Sequence, residues 1–379
     1  MSVPTANLKT LHLSGRQPSM PPLALLFGAL LVIGCGESVD PPGPVVSDTA
    51  KTVEDTQDTA QAAAPDTAGV GQVRWRQHIP AHGKKLRAMA RQPGKKGSYA
   101  IAGDSASVVL FVDGKFTDVS PENLGGANLS GVHVDDKGRV VVAGEKSALA
   151  ILEDGTWSVA GEVPPAPAVQ FLDVSGFGAK YWAVGVAAQA WKHEDETWVP
   201  QAVTVTGDTE WIGVGAQFVA VAVHKDEVWI ACDPGVTSPG LALRKTAKGW
   251  TSYPLKTSPR DIWIAPDKVD GGVFVAGGTA SEYVARFDGK AFVADKNLKW
   301  KQGFHAVRGL TAAQVWAAGL KGQLRQTAGA AWDVVAIEAP PGTPNPFPPP
   351  TDDLVGIGVH APDALAVITN YRMYSYGTQ

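Results

Sequence analysis

The sequence predicts an all-β fold, a seven-bladed β-propeller, and three observations lead to it. A short apolar strand ends in glycine, and a second strand, a turn of the Asp-Gly type and an aromatic residue follow. This pattern is clearest from Tyr181 to Trp198. The aromatic residue recurs in steps of 40 to 52 residues, at Trp75, Phe116, Trp157, Trp198, Trp250, Phe292 and Trp332. A period of roughly 40–50 residues with short strands is typical of propellers, in which each period forms one four-stranded blade.

A second series marks the residue that ends the second strand of each blade. We name the strands of a blade a to d from the central channel outward. The series has seven members: Gly103, Gly144, Gly185, Cys232, Gly277, Gly319 and Thr369. Two blades therefore replace glycine, and the sequence predicts that their turns between strands b and c differ from the others.

The two ends of the chain are predicted to meet in the last blade. The aromatic series begins at Trp75, which has no strand b before it, whereas the last blade ends after Met373–Tyr376 without an aromatic residue. Residues 73–77 therefore supply the outer strand of the seventh blade. Such an N-terminal strand closes the ring, in a Velcro arrangement, and removes a free sheet edge.

Residues 1–35 have the features of an export signal. Two basic residues precede the apolar run 23–33, which is too short to span a bilayer, and Gly34-Cys35 ends it. This ending resembles the lipobox of bacterial lipoproteins, which implies a lipid on Cys35 and a place in the bacterial cell envelope. The following Gly36 favours the outer membrane by the same resemblance. The alternative is an ordinary secretory signal with an unmodified cysteine.

The charge separates a linker from the propeller. Residues 36–70 contain seven acidic residues, one lysine and no aromatic residue, which predicts a disordered acidic tether. Residues 71–379 contain 30 basic and 30 acidic residues. A neutral propeller argues against nucleic acid and anionic lipid headgroups as partners. The lipid anchor is then the predicted membrane contact.

The repeats over residues 71–379 resemble bacterial propeller repeats of the Asp-box, WD and YVTN kinds. The segment Glu153–Trp157 resembles the end of an Asp-box, and the blades share a "vWAVG…dGtW" form. Propellers of these kinds include glycosidases and membrane-bound assembly scaffolds. The resemblance therefore implies the fold and leaves the function to the loops.

Long loops between blades are the predicted binding surface. In a propeller the d–a and b–c loops share one face, and the long d–a loops contain the aromatic residues Trp211, Trp300 and Phe347. Asp208 and Glu210 lie in the same loop as Trp211. We predict that these five residues contact an envelope protein or polysaccharide. The alternative is that each aromatic residue only packs within its own loop.

The sequence favours a monomeric binding or scaffold module over an enzyme. It contains no P-loop, HExxH, GxSxG or CxxC motif. Asp208, Glu210 and Asp233 could form the carboxylate pair of a carbohydrate-active hydrolase, which is the alternative function. No cofactor is predicted.

Histidine and cysteine usage predicts neither a metal site nor a disulfide. Four histidines near strand a lie at unequal distances from the series that ends strand b: His133, His224, His305 and His360. Besides Cys35 the chain contains one cysteine, Cys232, which is expected to be a small buried apolar side chain.

Overall fold

In the part of the chain that the computed structural model describes, there are seven four-stranded antiparallel sheets, one for each predicted blade. The predicted boundaries at residues 35 and 70 lie outside the residues that the structure describes. These are residues 74–159, 169–205, 215–235, 239–267, 271–278, 282–298, 302–328, 331–338 and 351–377.

The strands follow one another in sequence order within each blade, except in the seventh. Blades one to three contain β2 Leu86–Arg91, β3 Tyr99–Gly103, β4 Val108–Val112, β5 Lys115–Asp118, β6 Leu129–Val134, β7 Val140–Gly144, β8 Leu149–Glu153, β9 Thr156–Val159, β10 Phe171–Phe177, β11 Lys180–Gly185, β12 Gln189–Glu194 and β13 Thr197–Pro200. Blades four and five contain β14 Gln217–His224, β15 Glu227–Asp233, β16 Leu241–Thr246, β17 Gly249–Pro254, β18 Pro259–Ile264, β19 Val273–Gly277, β20 Tyr283–Phe287 and β21 Phe292–Ala294. Blades six and seven contain β22 Phe304–Thr311, β23 Gln314–Gly319, β24 Leu324–Ala328, β25 Ala331–Val334, β26 Gly356–Ala361, β27 Ala364–Ile368, β28 Met373–Gly377 and β1 Arg74–His78. Within the described ranges, 3₁₀ turns span Val186–Ala188 and Leu320–Gly322.

The predicted closure by the N-terminal strand is confirmed. β1 pairs antiparallel with β28, and its register places Trp75 opposite Tyr376 and His78 opposite Met373. The Trp75 and Tyr376 rings lie 5.1 Å apart between their centroids. The seventh blade therefore combines strands from both ends of the propeller, and β1 covers the edge of β28.

The hydrophobic core lies between neighbouring blades. The inner strand of each blade contacts that of the next, and β26 contacts β2 to complete the ring. Seven clusters of buried apolar side chains occupy the seven interfaces. Strand b is packed on both faces, so β3, β7, β19 and β27 are buried along their whole length. Burial on both faces accounts for the continuously apolar sequence of strand b.

The seven aromatic residues of the outer strands pack between sheets. Four are buried and three are half-buried: Trp75, Trp198, Trp250 and Phe292 in the first group, and Phe116, Trp157 and Trp332 in the second. Where an indole is half-buried, its Nε1 still finds an acceptor. Trp157 donates to the Val119 carbonyl at 2.6 Å, and Trp332 donates to Asp295 at 2.8 Å.

The glycine that ends strand b allows two backbones to approach closely. A Cβ atom on Gly144 would lie 2.2 Å from the carbonyl oxygen of Asn128. The next turn places two consecutive residues in the left-handed region in four blades: Ser105-Ala106, Lys146-Ser147, Ala187-Ala188 and Lys321-Gly322. The turn after Thr369 lacks this pair, as predicted. The turns after Cys232 and Gly277 include residues 236–238 and 279–281, which lie outside the described residues.

The Asp-Gly turn of the repeat has the geometry of a tight hairpin at two of the three places where the sequence has Asp-Gly between strands c and d. Asp113 and Gly114 both have positive φ angles, as do Asp154 and Gly155, which matches a two-residue type I′ hairpin. The prediction is wrong for Asp288: only Gly289 of that pair has a positive φ. The loop there is longer, and Asp288 accepts the N–H groups of the residues two and three positions later at 2.8 Å.

Cys232 is a buried structural residue, as predicted. It has no exposed surface in β15, and burial raises the pKa of its thiol to about 12. The thiolate is therefore disfavoured at neutral pH.

Among the described residues, no helix is long and apolar enough to cross a membrane.

Candidate functional site

A cavity of about 400 Å³ occupies one end of the central channel. All seven inner strands contribute to its wall, together with residues of the a–b turns such as Pro93, Asp136, Gly178 and Pro266. The cavity therefore opens on the face formed by the a–b and c–d turns. This is the face opposite the long d–a loops that the sequence indicated as a binding surface.

The inner strands place different side chains at equivalent positions around the channel. Pairing with strand b aligns them, because Asp173 faces Val184 just as Asp261 faces Ala276 and Ala306 faces Ala318. Two residues later along each strand the ring reads Ala90, His133, Ser175, Ala222, Trp263, Arg308 and Gly358. All seven of these residues line the cavity. Small residues in four blades leave room for the three large side chains.

Asp173 and Asp261 join neighbouring blades from the same repeat position. The Asp173 carboxylate accepts the N–H of Val221 at 2.9 Å, and the Asp261 carboxylate accepts the N–H of Val307 at 2.8 Å. In both cases the donor is on the inner strand of the next blade, whose channel edge has no further strand to pair with. The two carboxylates therefore satisfy backbone donors that the inner edge would leave open.

Arg308 brings a guanidinium group to the inner end of the cavity. Its Nη1 forms a salt bridge with Asp261 and also donates to the Val307 carbonyl at 2.6 Å. The Arg308 side chain keeps 33% of its surface exposed, whereas that of Asp261 keeps 8%. Asp261 is thus the buried partner, and Arg308 the one that a ligand can reach.

The surroundings of Asp173 and His133 shift the pKa values of both side chains. Enclosure by the inner strands and, second, the negative charge of Asp261 raise the pKa of Asp173 from 3.8 to about 7, although the residue keeps some surface toward the channel. The pKa of His133 falls from 6.5 to about 4, chiefly through enclosure; the negative charge of Asp135 opposes this shift and the positive charge of Arg308 adds to it. His133 is therefore neutral at pH 7, and its buried Nε2 has no hydrogen-bond partner among the described residues.

The mouth of the cavity combines aromatic, apolar and cationic groups. Phe177 is 44% exposed, and its ring lies 5.1 Å from that of His224. Trp263 is half-buried in the cavity wall below the mouth, at the level of Arg308. Arg91 is exposed there and donates to the Val359 carbonyl at 3.3 Å. The mouth can therefore pack an apolar side chain beside a hydrogen-bond donor.

Asp135 belongs to the structural frame of the wall rather than to its reactive surface. Its carboxylate accepts from the Tyr181 hydroxyl at 2.7 Å and from Arg139 Nε at 2.6 Å, and it has no exposed side-chain area. These hydrogen bonds and the charge of Arg139 hold the pKa of Asp135 below its usual range despite burial. The same contacts leave its carboxylate inaccessible to a ligand.

The structure does not test the site residues predicted from the sequence. Cys35, Asp208, Glu210, Trp211, Trp300 and Phe347 all lie outside the described residues. The four histidines do not form a ring, because His133 and His224 lie at different depths of the cavity wall and His305 and His360 do not line it. No group of three or more potential metal ligands occurs among the described residues.

Asp173 makes stability depend on pH in a direction that can be tested. The folded state binds its proton more tightly than the unfolded state, so this residue's contribution to stability is full below pH 4 and declines as the pH rises to about 7. Asn retains an acceptor for the Val221 N–H but carries no charge. We expect Asp173→Asn to raise the melting temperature at pH 8 and to leave it nearly unchanged at pH 4.

Melting curves at both pH values check this expectation. Asp136→Asn is the control, because Asp136 is an exposed carboxylate in the wall of the same cavity. If Asp173→Asn melts below the parent at pH 8, ionisation of the Asp173 carboxylate does not lower the stability of the folded state.

Comparisons with known proteins identify the fold. No protein-family model matches the chain, and no curated protein matches it. Among solved structures, YCF48 from Cyanidioschyzon merolae is similar at 15% identity and a TM-score of 0.60, over 80% of this chain and 99% of that one. A structure described as YCF48 bound to D1 peptide has 14% identity and a TM-score of 0.58, over 80% and 97%. A catalytically inactive virginiamycin B lyase from Staphylococcus aureus with quinupristin has 12% identity and a TM-score of 0.61, over 81% and 99%. These similarities show that the chain shares the β-propeller fold of those proteins.

Proposed function

We propose that this chain is a lipid-anchored propeller of the bacterial cell envelope that binds a protein partner at the mouth of its channel. The observation that supports this most is the cavity itself, which all seven blades enclose and which has the exposed Phe177 at its opening. Exposed aromatic side chains beside a preformed concave site are typical anchors of protein interfaces.

The similarity to YCF48 supports the proposal that the propeller binds a peptide segment of its partner. One structure of that protein is described as bound to D1 peptide. In the present chain a cavity of about 400 Å³ is within the range of ligand sites, which is roughly 300–1,000 Å³. A cavity of this size fits a few side chains of an extended segment rather than a whole domain.

The first strand of the propeller begins on the face where the cavity opens. Arg74 begins β1 opposite Gly377, at the c–d end of the seventh blade. A tether that starts at a lipidated Cys35 would thus join the propeller on the face where the cavity opens. A partner that belongs to the same membrane, which we take to be the outer membrane, would reach the mouth from that side.

The opposite face is the competing binding surface within this proposal. Trp211, Trp300 and Phe347, with Asp208 and Glu210, are the residues that would contact an envelope protein or polysaccharide there. The carbohydrate-active hydrolase remains the alternative, and it requires Asp208 or Glu210 for the turnover of a polysaccharide.

Crosslinking in intact cells followed by purification of the full-length protein tests which face binds. We expect Phe177→Ala to reduce capture of the major crosslinked partner about 30-fold, because loss of an aromatic anchor costs roughly 2 kcal/mol. The melting temperature should not change, since Phe177 is an exposed residue. Val334→Ala is the control, because Val334 is 63% exposed on an outer strand.

The outcome also separates the two faces. Loss of capture in Trp211→Ala but not in Phe177→Ala would place the partner on the long loops and contradict binding at the channel mouth. Release of reducing ends from an envelope polysaccharide, abolished by Asp208→Asn or Glu210→Gln, would favour the hydrolase.

The anchor has its own test. Cys35→Ala should move the protein from the membrane fraction to the soluble fraction, because the lipid is its proposed membrane attachment. Cell fractionation followed by a wash in high salt measures this. A substituted protein that stays in the membrane fraction after the wash would contradict lipidation at Cys35.

A further inference from the structure

The cavity contains two guanidinium groups whose hydrogen-bonding capacity is only partly used. Arg308 makes both of its described hydrogen bonds through Nη1, to Asp261 and to the Val307 carbonyl. Arg91 likewise makes its described hydrogen bond through Nη1, to the Val359 carbonyl. Among the described residues, Nε and Nη2 of both side chains have no acceptor. Nε and Nη2 lie on one edge of a guanidinium, and such an edge binds a carboxylate through two parallel hydrogen bonds.

The surroundings of Arg308 favour a ligand over bulk water. Ile262, Val174 and Ile357 line the same cavity as Arg308, so part of the cavity wall is apolar. His133, close enough to Arg308 to respond to its charge, has a buried Nε2 without a hydrogen-bond partner among the described residues. Two incompletely satisfied polar groups at the inner end of one cavity indicate a polar group that is supplied from outside the chain.

The carboxylates of the wall do not fill this role. Asp135 is enclosed by Tyr181 and Arg139. Asp136 is exposed on the turn at the rim and forms no described hydrogen bond with Arg91 or Arg308. Asp261 occupies only Nη1 of Arg308. The open Nε–Nη2 edges therefore remain for a carboxylate of the ligand.

We propose that the cavity recognises a carboxylate of the partner's peptide segment, bound at the Nε–Nη2 edge of Arg308 at the inner end and assisted by Arg91 at the mouth. This inference rests on the proposed function. An apolar residue next to the carboxylate would pack on Phe177 and Trp263. The carboxylate comes from an acidic side chain or from the C-terminus of the segment, since both present the same two oxygens.

Selection of short random peptides by the purified full-length protein tests this proposal. We expect the enriched peptides to carry an acidic residue or to require a free C-terminus. Binding of the best synthetic peptide is then measured by fluorescence anisotropy with a free and with an amidated C-terminus. Loss of binding on amidation identifies the C-terminal carboxylate, and loss on Asp-to-Asn or Glu-to-Gln exchange within the peptide identifies a side chain.

Arg308→Lys is the decisive variant. Lysine keeps the positive charge beside Asp261 but lacks the two-donor edge, so the fold is retained while bidentate binding is lost. We expect the affinity for the peptide to fall about 10-fold in Arg308→Lys and about 3-fold in Arg91→Gln. Lys96→Gln is the control, because Lys96 is an exposed cation of the same face that does not line the cavity. It should bind as the parent does.

The possible failures are distinct. Enriched peptides without a carboxylate requirement, or equal affinities for the parent and Arg308→Lys, overturn carboxylate recognition. If Phe177→Ala still weakens those peptides, the proposed protein-binding function stands. If the parent enriches no peptide, both carboxylate recognition and peptide binding at the channel mouth are overturned.

Discussion

A propeller that begins at residue 81 should aggregate or melt far below the domain that begins at residue 71. The shorter chain lacks β1, which supplies the outer strand of the seventh blade. Its loss exposes the backbone donors and acceptors of β28 along five paired positions and removes Trp75 from the core. An exposed strand edge is a template for association between chains. Thermal melting and size-exclusion chromatography of both domains measure the effect.

Two point variants separate the contribution of the side chain from that of the strand. Trp75 is 4% exposed, and we expect Trp75→Ala to cost about 3–5 kcal/mol in the free energy of unfolding. Arg76 is exposed on the same strand, and Arg76→Ala should change stability by less than about 0.5 kcal/mol. A monomeric domain that starts at residue 81 and melts with the parent would refute closure by β1.

Asp261→Ala should be the most damaging substitution in the channel. Asp261 accepts the N–H groups of Val307 and Ile262 at 2.8 Å and forms the salt bridge with Arg308. Alanine removes all three contacts and leaves a guanidinium in a partly buried position without its carboxylate. Removing one member of a buried pair costs about 3–5 kcal/mol, and the exposure of Arg308 places our expectation at about 3 kcal/mol.

Chemical denaturation of three variants measures this loss. Asp261→Asn should lose less than Asp261→Ala, because the amide oxygen still accepts one backbone N–H. Asp136→Ala, at an exposed position of the same cavity wall, should change stability by less than about 0.5 kcal/mol. Equal stabilities of the parent and Asp261→Ala would contradict the role of this carboxylate in joining blades five and six.

The residues that join neighbouring blades in the channel are present in the sequence, but no local sequence pattern shows that they occupy equivalent positions. Asp173 and Asp261 are 88 positions apart, and nothing in their neighbours marks them as equivalent. Alignment of the inner strands by their pairing with strand b would have shown the equivalence. The sequence repeat was anchored on strands b and d instead, because apolar strands and Trp residues give the stronger local pattern. His133, Ser175 and Arg308 were therefore missed as one ring.

The binding face was also predicted from local features of the sequence. Loop length and aromatic residues predicted a binding surface on the d–a face with Trp211, Trp300 and Phe347. The described cavity opens at the opposite end, where Phe177 and Trp263 are lining residues with large aromatic rings. A long loop is visible in a sequence, whereas a cavity between seven short strands depends on how the ring closes.

By itself the sequence determined the number of blades, their strand order and the closing strand. The first two follow from local features that are repeated in the sequence: an apolar strand b, a glycine such as Gly144 where two backbones approach closely, and a two-residue turn such as Asp154-Gly155. The closing strand follows from Trp75, which has no strand b before it and pairs with the last blade. Only the tertiary structure decided which side chains meet in the channel. Residues of different blades come together there because ring closure sets the position of each inner strand. Arg308, Asp261 and Asp173 therefore become one cluster through geometry that no single repeat encodes.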